Sequence, residues 1–395
     1  MTEVYLYDAL RTPRGKARPD GGLAATSPQA LVSQLAAALH QRSGAAPAHC
    51  ESLLLGCVGQ LGSQGGHLAL VSKLHAGLPE ACTALTLNNY CVSGLSAVIQ
   101  GAAQIASGQA QQLLAGGVEM MSQVGFMADR ATYYQDCSLP PRQRYLPVAL
   151  AADRLAARRG IGRAELDAAA LLSQCRAAAA ESDAALQRSR LAIARADGSA
   201  FASDECVRAK TSAEGLAALP PAFGGLAAEW AEALGSDEPF APLHTVSHAP
   251  PMCDGAGLAL LGAVGIADAK PRARILAMAE CGADASDSLT AGFAAMDKAL
   301  QRAGLGLQDM ERIEFMESFA VTQALFLRDH AAGLDLQRIN AAGGHLAKGH
   351  PLGASGAILL STLLDNLDAC QGRLGLLVCT GASGVGAAMI VERLS

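Results

Sequence analysis

Two cysteines and one histidine lie in glycine-rich segments, and their chemistry suits acyl transfer through a thiolate. Cys91 falls in the segment NNYCVSG, directly before an apolar stretch that we predict to be helical. Free backbone N–H groups and the helix dipole at a helix N-terminus favour the thiolate form of a cysteine. An imidazole within hydrogen-bond reach can hold the thiol proton, and His350 suits that task. We therefore predict that Cys91 is the nucleophile and His350 its base.

His350 and Cys379 both stand where the backbone can approach other groups closely. His350 lies in KGHPLGASG, where the glycines leave room for close contact and Pro351 stiffens the turn. Cys379 ends a strand-like run and opens the glycine loop CTGASGVG. The second cysteine would thus lie in a turn that can face the same pocket.

These segments resemble the thiolase family, the acetyl-CoA acyltransferases and acetyltransferases, and the resemblance covers almost the whole chain. It begins at RTPRGK and continues through GGVEMMS, Asp204-Glu205 with Arg208, and DGA to the three segments above. A single glycine-rich match is a weak signal. Five or more in the family's order form a specific one, and KGHPLGASG is the most specific of them.

The resemblance implies an acyltransferase that carries out thiolysis of 3-ketoacyl-CoA or the reverse Claisen condensation through a Cys91 acyl-enzyme. Cys379 would carry the proton to and from the α-carbon of the thioester. The backbone N–H groups of Cys91 and Gly381 would form the oxyanion hole. Coenzyme A enters as part of the substrate, no other cofactor is expected, and we expect a homodimer or homotetramer.

The segment Met316-Glu317-Ser318-Phe319 departs from the family pattern, in which a polar residue precedes Glu-Ala-Phe. That polar residue helps to place a water in one oxyanion hole, and a thioether is a poor substitute. We expect Met316, Ser318 and Phe319 beside the substrate, with a weakened oxyanion site. Further departures at Pro220 and in the stretch 248–253 fall in loops that the family uses for coenzyme A, so another acyl carrier stays open.

Two alternatives remain beside the thiolase interpretation. A ketoacyl synthase-like condensing enzyme also uses a cysteine, but with two histidines or a histidine and an asparagine, whereas this chain offers a second cysteine, Cys379. A partner or scaffold subunit with weakened chemistry is the other, which Met316 favours. The retention of Cys91, His350 and Cys379 argues against it.

The elements that position these residues alternate between short strand-like runs and alanine-rich helical stretches. This alternation predicts an α/β fold built from parallel βαβ units. A weak repeat relates the Cys91 region to the His350 region, which would bring the two turns together across a pseudo-dyad. The resemblance implies the thiolase fold: two similar βαβ-rich halves in a five-layer αβαβα body with an inserted loop domain.

We place the N-terminal half at residues 1–122 plus 246–271, the loop domain at 123–245 and the C-terminal half at 272–395. The loop domain is rich in arginine and would bind coenzyme A and substrate. Trp230, the only tryptophan, is expected to anchor an extra stretch of this domain rather than to contact substrate. His345 is expected to be a packing residue.

The composition limits the classes of partner. With 51% hydrophobic and 17% charged residues, the 395-residue chain is a compact enzyme rather than a disordered chain. A net charge of −6 without a Lys/Arg run argues against nucleic acid. Eleven irregularly spaced cysteines with no CxxC pair indicate a reducing compartment and no metal site. No membrane span is expected, and we predict a cytoplasmic protein.

Overall fold

The computed structural model describes residues 2–235, 239–266, 268 and 270–394. Its strands are β1 (Tyr5–Arg11), β2 (Gly15–Lys16), β3 (Ser52–Gly56), β4 (Thr83–Leu87), β5 (Gln112–Met120), β6 (Ile193–Ala194), β7 (Ala200–Phe201), β8 (Cys253–Gly262), β9 (Ala273–Gly282), β10 (Arg312–Phe315), β11 (Leu374–Thr380) and β12 (Val385–Arg393). Its α-helices are α1 (Pro28–Ser43), α2 (Leu68–His75), α3 (Ser93–Ala106), α4 (Val148–Arg159), α5 (Arg163–Ala180), α6 (Ala213–Ala217), α7 (Ala231–Leu234), α8 (Ala291–Ala303), α9 (Ala320–Leu325), α10 (His345–Lys348) and α11 (Ser355–Cys370).

The main strands form two half-sheets that meet at a narrow junction. The N-terminal half-sheet has the order β4-β3-β5-β8-β1, and the C-terminal half-sheet continues as β9-β12-β11-β10. At the junction, β1 and β9 pair only through Tyr5 with Arg274 and Leu6 with Ala273. Such a short ladder lets the two half-sheets diverge, so helices can pack between them.

The strand directions are only partly those predicted. β3 pairs in parallel with β4 and β5, and β10 pairs in parallel with β11, as the alternation of strands and helices predicts. The strands β8, β1, β9 and β12 join antiparallel to their neighbours. The parallel units therefore occupy the two outer parts of the sheet, while the centre is antiparallel.

Five layers follow from the way the helices cover the half-sheets. α1 and α2 pack on the outer face of the N-terminal half-sheet, and α8 packs on the outer face of the C-terminal half-sheet. α3 and α11 contact each other and lie between the two half-sheets. Each layer boundary is an apolar cluster, as burial of one sheet face requires. The predicted αβαβα body is confirmed.

Glycines allow the central helices to approach at backbone distance, and we call Gly94, Gly117, Gly353 and Gly356 the glycine seam. A Cβ on Gly94 or Gly117 would lie 2.6 Å or 2.4 Å from the carbonyl oxygen of Gly353. A Cβ on Gly356 would lie 2.6 Å from the Cβ of Leu95. The seam thus presses the start of α3 against the start of α11, which brings the turns bearing Cys91 and His350 together.

The stretch 123–245 lies against the C-terminal half. α5 packs on α9 and α10, and α4 packs on α9, so this stretch covers the helices that follow β10. β8, in the stretch 246–271, lies between β1 and β5 of the N-terminal half-sheet. The division into three domains stays a prediction. Within the described ranges, no helix has the combination of length and apolar character that crossing a bilayer requires.

Candidate active site

A cavity of about 590 Å³ opens where β3, β4 and β10 reach their carboxyl ends. Cys91 and His350 both line it, together with Ser318, Phe319 and Ala382. The two residues come from different halves of the chain, so the nucleophile and its base meet only in the folded protein. The structure therefore brings together the two groups that the sequence paired.

Cys91 lies two residues before α3, whose N-cap Val92 supplies no side-chain hydrogen bond. The cysteine is 9% exposed, and burial raises the pKa of its thiol to about 12. The backbone N–H of Ala382 opposes this rise in the pKa, while the charge of Glu119 raises it further. Desolvation thus outweighs the helix start, which by itself favours the thiolate, and the Cys91 thiol is protonated.

His350 is held by two contacts and keeps one ring nitrogen free. Its backbone N–H donates to the Pro251 carbonyl at 2.9 Å, and its Nδ1 lies 2.7 Å from the Ser355 hydroxyl oxygen. Among the described residues, Nε2 has no hydrogen-bond partner. Burial, helped by the charge of Arg14, lowers the pKa of His350 to about 3. The ring is therefore neutral, and in the tautomer whose Nδ1–H donates to the Ser355 hydroxyl oxygen the lone pair on Nε2 can accept a proton.

Cys379 lies near the end of β11 and is fully buried behind the cavity rather than in its lining. It belongs to the same apolar cluster as Cys91. Burial raises the pKa of its thiol, and the neighbouring Cys91 raises it further. Cys379 is thus a protonated thiol close to the nucleophile, which is the form needed to give a proton to a carbanion.

The predicted oxyanion donor Gly381 is engaged elsewhere. Its N–H donates to the Val385 carbonyl at 2.9 Å, although the residue itself adjoins the backbone of Cys91. The backbone N–H groups that lower the pKa of the Cys91 thiol are those of Ala382 and of Cys91 itself. Ala382 is therefore a further candidate donor, and the assignment of Cys91 and Gly381 to the oxyanion hole stays a prediction.

Met316, Ser318 and Phe319 occupy three different environments. Met316 is fully buried in the cluster that contains Cys91 and Cys379, and it does not line the cavity. Ser318 lines the cavity, but its hydroxyl donates to the Thr380 carbonyl at 3.0 Å. Phe319 lines the cavity and packs edge-on against Phe223 at 6.1 Å. Direct substrate contact is thus open to Ser318 and Phe319, whereas Met316 can act only from behind the nucleophile.

The sequence analysis overlooked Glu119, which ties two loops of the site to the end of β5. Its Oε2 accepts the N–H groups of Val58 and Gly353 at 2.9 and 3.0 Å. Its Oε1 accepts the N–H of Gly59 at 2.9 Å and the Gln64 amide at 3.0 Å. Burial raises the pKa of Glu119, and these backbone N–H groups oppose that rise. A glutamate ending the strand GGVEM was the available signal.

Glu317 is a second buried carboxylate that holds loops in place, and it acts on the segment that carries His350. It accepts the backbone N–H of Leu346 at 2.9 Å, the Ser173 hydroxyl at 2.7 Å and the Asn340 amide at 2.9 Å. Each partner lies on a different element, so the carboxylate fixes the approach of α10. The sequence analysis named Met316, Ser318 and Phe319 of this motif, but it missed the structural role of Glu317.

His345 packs against the catalytic candidate rather than joining the cavity. Its ring lies edge-on to that of His350 with centroids 4.9 Å apart, and burial lowers its pKa. Neither of its ring nitrogens has a partner within the described part of the chain. It is a packing residue, as expected. The described residues include no cluster of three or more His, Cys, Asp or Glu side chains placed to hold a metal ion.

Two family descriptions match this chain in sequence order. The model for "Thiolase, N-terminal domain" matches residues 4–227, and that for "Thiolase, C-terminal domain" matches residues 269–393. The chain belongs to the thiolase family. The resemblance carried by KGHPLGASG and the other segments is confirmed.

Relatives with curated names cover the whole chain. Thiolases similar to it include the beta-ketoadipyl-CoA thiolase of Acinetobacter baylyi (32% identity; all of both chains) and the 3-ketoacyl-CoA thiolase of Vibrio vulnificus (33%; all of both chains). The steroid 3-ketoacyl-CoA thiolase FadA6 of Mycobacterium tuberculosis is 32% identical over 100% of this chain and 95% of its own. The crystal structure of the Bacillus anthracis acetyl-CoA acetyltransferase superposes with a TM-score of 0.85 at 26% identity, covering 100% of this thiolase and 99% of that chain.

Proposed function

We propose that this thiolase transfers acyl groups between Cys91 and coenzyme A, by thiolysis of 3-ketoacyl-CoA or by the reverse condensation. One observation carries the proposal: Cys91 and His350 line one cavity, Nε2 of His350 has no hydrogen-bond partner among the described residues, and Cys379 shares an apolar cluster with Cys91. A nucleophile, a base and a proton donor are the three groups that this chemistry needs. The relatives named as 3-ketoacyl-CoA thiolases support the substrate class.

In the first half-reaction, the Cys91 sulfur attacks the 3-keto carbon while His350 Nε2 accepts the thiol proton. The bond between the α-carbon and that carbonyl then breaks, leaving an acyl thioester on Cys91 and a carbanion of acetyl-CoA. Cys379 donates its proton to the carbanion and becomes a thiolate. Because burial raises the pKa of Cys91 and lowers that of His350, both groups are neutral before the attack, and the proton moves as the new bond forms.

In the second half-reaction, coenzyme A gives its thiol proton to the Cys379 thiolate and attacks the acyl thioester. Cys91 leaves as a thiolate and recovers its proton from the His350 imidazolium, so all three groups return to their starting forms. The N–H of Ala382 lowers the pKa of Cys91, so it favours negative charge on the sulfur and can stabilise it in both steps. The ketoacyl synthase alternative does not explain Cys379, because such an enzyme has no second thiol that gives the proton in one half-reaction and regains it in the other.

Coenzyme A is the proposed acyl carrier, and the cavity mouth has features that fit it. Arg208 is exposed and lines the cavity, where its guanidinium can meet a phosphate. Ala249 and Pro250 line the same opening and give the pantetheine arm an apolar path. Pro220, another departure from the family pattern, is outside the described lining.

We also propose that the protein assembles as a homodimer through β4, with a homotetramer as the larger possibility. β4 is an edge strand, and the apolar side chains Leu70 and Leu74 on the neighbouring α2 and Leu85 on β4 itself are 40%, 67% and 44% exposed. An edge strand flanked by exposed leucines suits pairing with a second copy. All eleven cysteines are free thiols, which supports a reducing location such as the cytoplasm.

Trapping the acyl-enzyme tests the proposed function. The protein is incubated with acetyl-CoA and with a longer acyl-CoA, quenched in acid, digested and analysed by mass spectrometry. We expect the acyl mass on the peptide that contains Cys91, and none in Cys91→Ala. Cys137→Ala, at an exposed thiol outside the cavity lining, is the matched control and keeps the label. Acylation of another cysteine, or full thiolysis by Cys91→Ala, would contradict the assignment.

A further inference from the structure

One side of the cavity is built from aromatic rings, and we call Tyr90, Tyr134, Tyr145 and Trp230 the aromatic wall. All four line the cavity. The rings of Tyr134 and Tyr145 lie 4.7 Å apart, and those of Tyr145 and Trp230 lie 5.7 Å apart in an edge-on contact. Tyr134, Tyr145 and Trp230 therefore form a continuous packed surface within the wall.

The aromatic wall begins at the nucleophile. Tyr90 directly precedes Cys91 and adopts a positive φ of 47°, a conformation that a bulky side chain rarely takes. Burial raises the pKa of Tyr145, and the nearby Tyr134, Tyr90 and Cys91 raise it further. An acyl group attached to Cys91 would thus have the wall within reach.

The rest of the lining near the wall is apolar as well. Side chains of Met121, Val124, Phe126, Met127, Pro147 and Val148 contribute to it. Tyr145 is only 3% exposed, so the surface lies deep in the protein. A buried apolar surface of this kind gains binding free energy from each methylene that it removes from water.

The charged side chains in the described lining disfavour the binding of an anionic acyl group. The carboxylates are Glu119, which is fully occupied by N–H donors, and Asp129, which accepts the Tyr134 hydroxyl at 3.0 Å on the wall itself. The one Arg or Lys among the described lining residues is Arg208, which is exposed and which we assign to coenzyme A. A second carboxylate on an acyl chain packed against the wall would lose water at the buried Tyr145 without gaining a cation, and it would face the like charge of the exposed Asp129 at the rim.

We propose that the acyl group transferred is uncharged and apolar, longer than acetyl, and packs on the aromatic wall, and that dicarboxylic acyl groups are excluded. This inference rests on the proposed function, since it concerns the group carried by Cys91. It separates the chain from the relative named as a beta-ketoadipyl-CoA thiolase, whose substrate ends in a second carboxylate. Trp230 becomes a specificity residue in addition to its packing against Leu146, Leu150 and Leu234.

The first test compares two substrates matched in carbon number, 3-ketohexanoyl-CoA and 3-ketoadipyl-CoA, and measures kcat/KM for thiolysis. We expect the carboxylate to lower kcat/KM by at least about a hundredfold, the scale for an unpaired buried charge. Between acetoacetyl-CoA and 3-ketooctanoyl-CoA we expect a rise of about fourfold per methylene. Equal kcat/KM for the matched pair, or a preference for acetoacetyl-CoA, overturns the proposal.

The second test alters the wall. We expect Trp230→Ala to lower kcat/KM about tenfold for 3-ketooctanoyl-CoA while leaving acetoacetyl-CoA unaffected, and Trp230→Phe to restore most of the loss. Val264→Ala, an exposed apolar position outside the cavity lining, is the matched control. A loss in Trp230→Ala that is the same for both substrates means that the tryptophan only supports the fold, and it overturns the role of the wall.

The third test looks for an increase in activity on one substrate, because poor folding of a variant cannot produce an increase. Phe126 lines the cavity and is 44% exposed, so an arginine can replace it with its charge in reach of an acyl terminus. We expect Phe126→Arg to raise the ratio of kcat/KM for 3-ketoadipyl-CoA over 3-ketohexanoyl-CoA at least tenfold; an unchanged ratio contradicts the charge argument. If no acyl-CoA labels Cys91 in any variant, the proposed function has failed instead.

Discussion

Replacing Glu119 by glutamine tests how the active-site loops are held. The two side chains have the same shape, but glutamine carries an NH₂ group where one carboxylate oxygen stood. Both oxygens of Glu119 accept two N–H donors: Val58 and Gly353 at Oε2, Gly59 and Gln64 at Oε1. Either orientation of the amide therefore sets a donor against two donors.

The loss of stability in Glu119→Gln follows from those four contacts. Two buried N–H groups lose their acceptor, at about 1–3 kcal/mol each, and the remaining two lose a charged acceptor. With Glu119 only 1% exposed, water cannot replace the lost partner. We expect Glu119→Gln to lower the free energy of unfolding by about 3–5 kcal/mol. Because Gly353 belongs to the loop of His350, we also expect slower acylation of Cys91.

The assay is urea denaturation followed by circular dichroism, together with single-turnover acylation by an acyl-CoA. Asp20→Asn is the matched control, since Asp20 pairs with Arg18 at a site where the two side chains are 73% and 65% exposed, and its denaturation midpoint should not move. If Glu119→Gln unfolds within about 1 kcal/mol of the parent and acylates at the parent rate, the four-donor arrangement does not hold the loops.

Three further predictions concern the reacting groups. Cys379→Ser should still form the Cys91 acyl-enzyme but lose exchange of the α-protons of acetyl-CoA, measured by NMR in deuterated buffer; equal loss of both steps would contradict separate roles. Met316→Asn should raise thiolysis of acetoacetyl-CoA if the buried thioether weakens oxyanion stabilisation, by up to about 10²-fold, and ordinary parent rates with no gain refute it. Because the pKa of Cys91 is raised to about 12, its thiolate fraction grows with pH. In the absence of acyl-CoA, iodoacetamide labelling of Cys91 should therefore rise about tenfold per pH unit from about pH 7 to about pH 9. A plateau in the labelling of Cys91 near neutral pH would show a preformed thiolate.

Local elements were predictable where periodicity and glycine punctuation were strong. The helix after Cys91 is α3, and the strand ending at Cys379 is β11, as predicted. The strands β8 and β12 escaped prediction because they are buried on both faces and rich in alanine and glycine, which carry no period-two pattern. Their antiparallel placement at the centre of the sheet is a property of long-range pairing that local sequence does not contain.

The site was predictable in its residue types but less so in its electrostatics. Cys91, His350 and Cys379 come together as the resemblance implies, and the first two share the cavity. Their pKa values depend on desolvation by surrounding layers, which a linear motif cannot report. The donor assignment to Gly381 stays a prediction, and a linear motif could not report that its N–H is paired with Val385 across a turn. Trp230 was expected to be an anchor and is also a cavity residue.

The glycine seam tolerates substitutions far less than the aromatic wall does. Where Gly94 and Gly117 face Gly353, backbone touches backbone, so even one added methyl group displaces the halves that carry the nucleophile and its base. Three of the four rings of the aromatic wall, in contrast, belong to side chains on the loops around residues 126–147 and 225–235, which can be exchanged without moving that contact. The reaction is therefore fixed at positions that accept a single amino acid, while the choice of substrate can drift at positions that accept many.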